Sequence, residues 1–227
     1  MTTIDTKQLE SNLAYWFNFE REQVDVEHKG NVPWTDRKKK LEIIKSVFAL
    51  ANNPEGGVVI VGIDANGKRV GLSKEKFASF QHDSLNRELK NRIGNQDVQV
   101  VVEKKELPME GIQKFKRFVF IVVQPTNEYP LIYSGKLEKN NENEGDYTSN
   151  IFLRPGALYI RNKGPIENKE IATPKEWQSI IETTLRKYKS ESDRRKSIEP
   201  EKSVVKSGAV KYKPQKSRFD DELIIKK

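Results

Sequence analysis

The sequence predicts an α+β fold: a mixed β-sheet flanked by helices, followed by a disordered basic tail. Three observations carry this. Two continuous apolar runs, Val58 to Ile63 and Phe118 to Val123, read as buried central strands. Apolar residues at helical spacing recur between and around them. From Ser190 the pattern stops, and Lys, Ser, Pro and Glu dominate.

The elements follow in order. Leu9, Leu13, Trp16 and Phe17 predict a first amphipathic helix over residues 6–19. Residues 23–29 alternate, with Val24, Val26 and His28 to one side and Asp25, Glu27 and Lys29 to the other, which is strand-like. Thr35 is the expected N-cap of a second helix running to about Asn52, with Leu41, Ile44, Val47, Phe48 and Leu50 on its apolar face. Asn53-Pro54-Glu55-Gly56-Gly57 ends it. After the Val58–Ile63 strand, Asp64-Ala65-Asn66-Gly67 is a turn signal, and Arg69-Val70-Gly71-Leu72 is expected to return as a short strand. Phe77, Phe80, Leu85, Leu89 and Ile93 predict one helix over 74–93. Val98, Val100 and Val102 alternate as a strand. Pro130 to Tyr133 extends the sheet, and residues 135–150 form a long polar loop. Ile151 to Leu153 and Ala157 to Arg161 are short strands. Thr173 caps a last helix that has Pro174 at its first position and carries Trp177, Ile180, Ile181 and Leu185. The folded domain is thus residues 1–189 and the tail residues 190–227. No internal repeat is present.

Composition narrows the function. Of 227 residues 33% are charged and 35% hydrophobic, so part of the chain is expected not to pack. The net charge is +8 and the pI near 9.4, which favours polyanions such as nucleic acid or an acidic membrane face. The tail has 11 Lys or Arg against 7 Asp or Glu, half of that net charge. Its last apolar stretch, Phe219 to Ile225, is a candidate for contact with a protein partner. The absence of cysteine removes disulfides and thiolate metal sites. Only His28 and His82 are available as imidazoles, so any metal would be an oxygen-ligated Mg²⁺ or Mn²⁺. No apolar run approaches the ~18 residues of a membrane span, and residues 1–11 hold no apolar signal core. The expected location is the cytoplasm.

Gly62 to Lys68 has the spacing of a nucleotide-phosphate loop, but Arg69 stands where Ser or Thr should hold Mg²⁺. The following residues read as strand rather than helix, so ATP hydrolysis is not expected. Basic candidates for phosphate contact are the Arg37-Lys38-Lys39-Lys40 run, Lys114, Lys116 and Arg117, and Arg161 with Lys163. Trp34 is placed either to stack on a base or to cap the core. His28, on the apolar face with Val24 and Val26, reads as a packed core histidine.

Ala49 to Leu72 resembles the Schlafen-type, Alba-like domain. That pattern is a helix ending Ala-x-Ala-Asn, a Gly-Gly turn, an apolar strand, a Gly-(Val/Ile)-Asp-x-x-Gly hairpin and a closing Gly-Leu. Two further blocks agree: Glu22 with Glu27-His28-Lys29, where His replaces the family's Phe, and Leu158-Tyr159-Ile160-Arg161-Asn162-Lys163-Gly164. The likeness spans about Glu22 to Glu170.

The resemblance implies binding of DNA or RNA. It also implies an alternative activity, metal-dependent cleavage of RNA, including transfer RNA, by a three-carboxylate site. Carried over, that site is Glu22, Glu27 and Asp64 with Mg²⁺ or Mn²⁺, and Lys29 beside it to stabilise charge on the phosphate. The residues leave other readings open. Glu22 and Glu27 would face opposite sides of one regular strand and converge only if Glu22 precedes the strand or a bulge intervenes. Asp25 is a rival ligand, and Asp64 has the context of a turn former. Binding without cleavage, cleavage, and a protein-interaction role all remain. The family's habit of pairing makes a homodimer the expected assembly.

Overall fold

A computed structural model describes residues 6–94, 96–109, 112–126, 130–139, 151–162 and 166–198. The chain divides into two units, Met1–Glu191 and Ser192–Lys227, and among the described residues all strands lie in the first. The Phe219 to Ile225 stretch lies outside the described residues.

The sheet is built on β1 (Val26–Lys29), β2 (Gly57–Val61), β3 (Val100–Met109) and β4 (Ile112–Val123), in the order β1-β2-β4-β3. β1 and β2 are parallel and joined by helix α2 (Arg37–Ala51); the other two pairings are antiparallel, so the sheet is mixed as expected. β2 and β4 are central, with every residue of β2 buried. That is why both read as unbroken apolar runs.

Alternation along the strands divides the core into two layers. Val59, Val61, Val119, Ile121 and Val123 pack under α2 with Ile44, Val47 and Phe48. Val58, Ile60, Phe118, Phe120 and Val122 face the other way, with Val26 and with Leu13 of helix α1 (Thr6–Phe17). Gly56, at φ +72°, lies so close to the Val123 carbonyl that any Cβ would collide with it.

Several boundaries differ from expectation for local reasons. The cap of α2 is Asp36, not Thr35, because the Asp36 carboxylate accepts from Lys39 N at 3.0 Å. The single helix expected over 74–93 is two, α3 (Lys74–Ser79) and α4 (His82–Ile93). Phe80 is extended between them, and its buried ring packs 5.9 Å from Trp34. Arg69 to Leu72 forms only two isolated bridges, Ile63 to Arg69 and Leu72 to Arg117, rather than a strand. The strand through Val98 begins at Val100 and runs on to Met109.

Beyond the sheet, β5 (Glu138–Lys139), inside the region read as loop, pairs with β6 (Ile151–Leu153), a strand as expected, and residues 140–150 lie outside the described ones. β7 (Tyr159–Arg161) pairs with an unforeseen β8 (Asn168–Glu170). Helix α5 (Pro174–Ile198) starts where Thr173 and Pro174 place it. Thr173 Oγ1 accepts from Glu176 N, and the Glu176 carboxylate accepts from Thr173 N, a reciprocal capping box. The helix passes residue 189, the expected end of the domain, and leaves Trp177, Ile181 and Leu185 exposed. Among the described residues no helix is long and apolar enough to cross a membrane.

One polar side chain ties these parts together. Asn52, buried at the end of α2, donates to the carbonyls of Leu131 (3.0 Å) and Tyr159 (2.9 Å) and accepts from Leu131 N (2.6 Å). Its neighbour Asn53 donates to the carbonyls of Val24 and Gly56. Replacing Asn52 by Ala strands three buried backbone groups, each worth ~1–3 kcal/mol when unsatisfied. Urea unfolding of Asn52→Ala should therefore show a loss of about 3 kcal/mol or more.

Candidate functional site

β1 is an edge strand, and only one side of it is paired. Gly62 and Ile63 donate to Lys29 O, and Val58 donates to Asp25 O, so residues 25 and 29 turn towards β2. Val26 and His28 turn their backbone groups outward, where a free edge would invite another strand. Side chains fill the positions. Glu22 accepts from His28 N at 3.0 Å, and Arg161 Nη2 donates to Val26 O at 2.9 Å and to Gln23 O at 3.1 Å.

Glu22 precedes the strand, which is the condition for it to meet Glu27. The two carboxylates converge on the Arg161 guanidinium. Glu22 pairs with Nη2 at 3.1 Å and Glu27 pairs with Nη1. Glu27 also holds Lys29 Nζ at 2.5 Å and accepts from Ser46 Oγ at 3.2 Å. Asn168 of β8 closes the circuit, accepting from Arg161 and donating to Ser46 Oγ at 2.9 Å. The Arg161 side chain is 1% exposed and that of Glu27 4%. Burial pulls Arg161 below its ordinary pKa, opposed by Glu22 and Asp25, and pulls Lys29 down, opposed by Glu42 and Glu22.

Asp64 does something else. It stands half-buried after β2, beside Gly30, and its Oδ1 accepts from Asn66 N (2.9 Å) and Lys68 N (3.0 Å). Asp64 O accepts from Gly67 N, which completes the turn. Gly67 has φ +78° and sits where a Cβ would collide with the Glu20 carbonyl. Among the described residues no three His, Cys, Asp or Glu side chains are disposed to hold a metal ion. Mg²⁺ or Mn²⁺ therefore does not fit Glu22, Glu27 and Asp64 as they stand. A guanidinium already fills the space between the two glutamates, and the third carboxylate serves its own turn. Asp25, the rival ligand, accepts from Trp16 Nε1 at 3.3 Å. The Gly62 to Lys68 loop opens no helix.

The basic candidates separate by environment. Arg161 was expected at a phosphate but lies inside, and Lys163 is outside the described residues. Arg37 pairs with Glu138 at 2.8 Å, Lys39 with Glu42 at 3.0 Å and Lys40 with Glu88 at 2.8 Å, while Lys38 is exposed. Trp34 is 4% exposed and donates to Ser84 Oγ, so it belongs to the core and offers no face to a base. His28 is buried with its Nε2 unpartnered.

A different surface emerges at β3 and β4. β2 covers only Val119 to Val123 of β4, while the β3–β4 ladder continues to Met109 and Ile112. This two-stranded arm carries Lys104, Lys105, Lys114, Lys116 and Arg117. Lys114 is exposed, Lys116 donates to Arg69 O at 2.8 Å, and Arg117 forms an open ion pair with Glu106 at 2.8 Å. Lys104 lies 5.2 Å over the Phe77 ring, and Lys105 is 3.9 Å from Glu10. Phe115 is 66% exposed. Local spacing drew attention to Lys114 and Lys116 but missed Phe115, Lys104 and Lys105, because the arm exists only through its cross-strand register.

Two outcomes follow from the β1 edge. Arg161→Met should cost ~3–5 kcal/mol, the price of leaving buried carboxylates uncompensated, and adding Glu27→Gln should recover part of it in urea melts. Burial holds the His28 imidazole below its ordinary 6.5, aided by Arg69 and opposed by Glu22. A depressed folded value gives stability that is full above 6.5 and lost as pH falls through the folded value. The unfolding free energy should drop as pH goes from about 6.5 towards 5, and His28→Leu should flatten that limb.

Comparison with known proteins agrees with the sequence blocks. A search of curated proteins gives no match. Sixteen chains of solved structures match. One is the DIP2311 protein from Corynebacterium diphtheriae, at 18% identity and a TM-score of 0.43, covering 76% of this chain and 32% of that one. This chain thus spans about a third of that protein. The family model described as "Schlafen, AlbA_2" matches residues 22–170, from the glutamate that seals β1 to the last residue of β8. The chain belongs to the Schlafen AlbA_2 family.

Proposed function

We propose that the protein binds nucleic acid mainly through backbone phosphates, and that the β3–β4 arm is the contact surface. Family membership supports nucleic-acid binding in general. The observation that carries the finer reading is the arm: paired strands with five Lys or Arg at and beyond the end of β2. Lys114 is already exposed. Arg117 leaves a solvent-exposed carboxylate, a pair worth little in water, so exchanging it for a phosphate costs little. Each neutralised phosphate releases condensed counterions, which is where the affinity comes from.

The Arg37 to Lys40 run contributes less than its charge suggests, since three of its four cations face carboxylates. Cleavage is not part of the proposal. Glu22 and Glu27 are committed to Arg161, and Lys29 to Glu27.

Anisotropy with labelled DNA and transfer RNA tests this. Affinity should fall steeply from ~50 to ~200 mM salt, with a slope on duplex DNA of about −0.9 per phosphate neutralised. The double variant Lys105→Ala/Lys114→Ala should lower that slope by about 1.8. Salt-independent affinity would overturn the phosphate reading, and no binding at all would return the protein-interaction alternative. RNA cleavage that needs Mn²⁺ and disappears in Asp64→Asn and Glu27→Gln would restore the nuclease alternative.

A further inference from the structure

Phe115 is the most exposed of the large hydrophobic side chains among the described residues. A single exposed ring is ordinary on a protein surface. Its surroundings are not. Lys114 and Lys116 flank it in sequence and turn to the other face of the strand, so it stands on a strand with cations on both faces. In register it stands opposite Pro108, which is also exposed. Strand alternation puts Arg117 on the same face, two residues or about 7 Å along β4. Beyond Arg117 on that face, Val119 pairs with Lys104, whose ammonium covers Phe77.

A docking site for a folded protein wants contiguous apolar area with little charge at its centre. Phe115 offers one ring with Arg117 and Lys104 along its own face and Lys114 and Lys116 on the other. A nucleobase next to its own phosphates fits that combination, with the ring taking the base face and the cations taking the flanking charge. A base inside a duplex has both faces covered by its neighbours, so the ring can reach only an unpaired one.

We propose that Phe115 is a stacking platform for an unpaired base and makes the arm selective for single-stranded nucleic acid over duplex. This rests on the reading that the arm binds nucleic acid. It adds a discrimination that phosphate contacts cannot supply, because phosphates are present in both forms.

The test compares a labelled mixed-sequence strand of about 20 nucleotides, longer than a typical single-strand site, with the same strand annealed to its complement. The full chain is used at one salt concentration. The wild type should prefer the single strand. Phe115→Ala should weaken single-strand binding about 5- to 100-fold and leave duplex binding and its salt slope unchanged. Phe115→Trp should restore affinity, and the added tryptophan emission should be quenched on binding, a signature that a merely structural ring would not give. Equal weakening of both forms by Phe115→Ala, or no weakening of either, would overturn the stacking role while nucleic-acid binding stands. Failure of the wild type to bind either form would overturn both.

Discussion

The guanidinium of Arg161 is the constraint on which the β1 side of the molecule depends. It is buried, yet it is satisfied by two carboxylates, an amide oxygen and two backbone carbonyls. A charge taken out of water is tolerable only with this density of partners. The arrangement does two mechanical things at once. It seals the outward backbone groups of an edge strand, and it anchors the β7–β8 hairpin to the sheet through Asn168 and Ser46. Asn52 performs the neutral counterpart at the other end of α2, binding Leu131 and Tyr159.

This geometry changes what the acidic residues mean. Glu22 and Glu27 come together, as a carboxylate site would require, but around a cation that belongs to the chain. In this arrangement both carboxylates brace the fold. The arm of β3 and β4 is different: Lys114 is exposed and Arg117 has a solvent-screened partner, while Lys116 is held on the Arg69 carbonyl and Lys104 lies over Phe77.

Much of the architecture is legible in local sequence. The runs at Val58 to Ile63 and Phe118 to Val123 are buried strands because both faces of β2 and β4 are covered. Glu22 and Glu27 meet because one of them precedes β1, a condition visible in their spacing. What resisted reading depends on partners far along the chain. Arg161 looks like a phosphate-contacting cation at the end of a strand until it is seen 139 residues from Glu22 and touching it. The Arg37 to Lys40 run looks free until Glu88 and Glu138 arrive from α4 and β5. The break between α3 and α4 exists because Phe80 turns inward to Trp34, which no helical period encodes. Phe115 has no pattern of its own and gains meaning only from the register opposite Pro108.

The long sequence separation of the β1 seal also bears on biosynthesis. Glu27 and Arg161 are 134 residues apart, so β1 leaves the ribosome well before its counter-ion exists. At ~5–20 residues per second the interval is roughly seven to twenty-seven seconds. Throughout it the Val26 carbonyl has no guanidinium donor and Glu27 has no Arg161 beside it, whereas the Glu22 cap for the His28 amide is already on the chain. The β1 edge is thus sealed in two parts, one local and encoded within six residues, the other long-range and available only once β7 has been made.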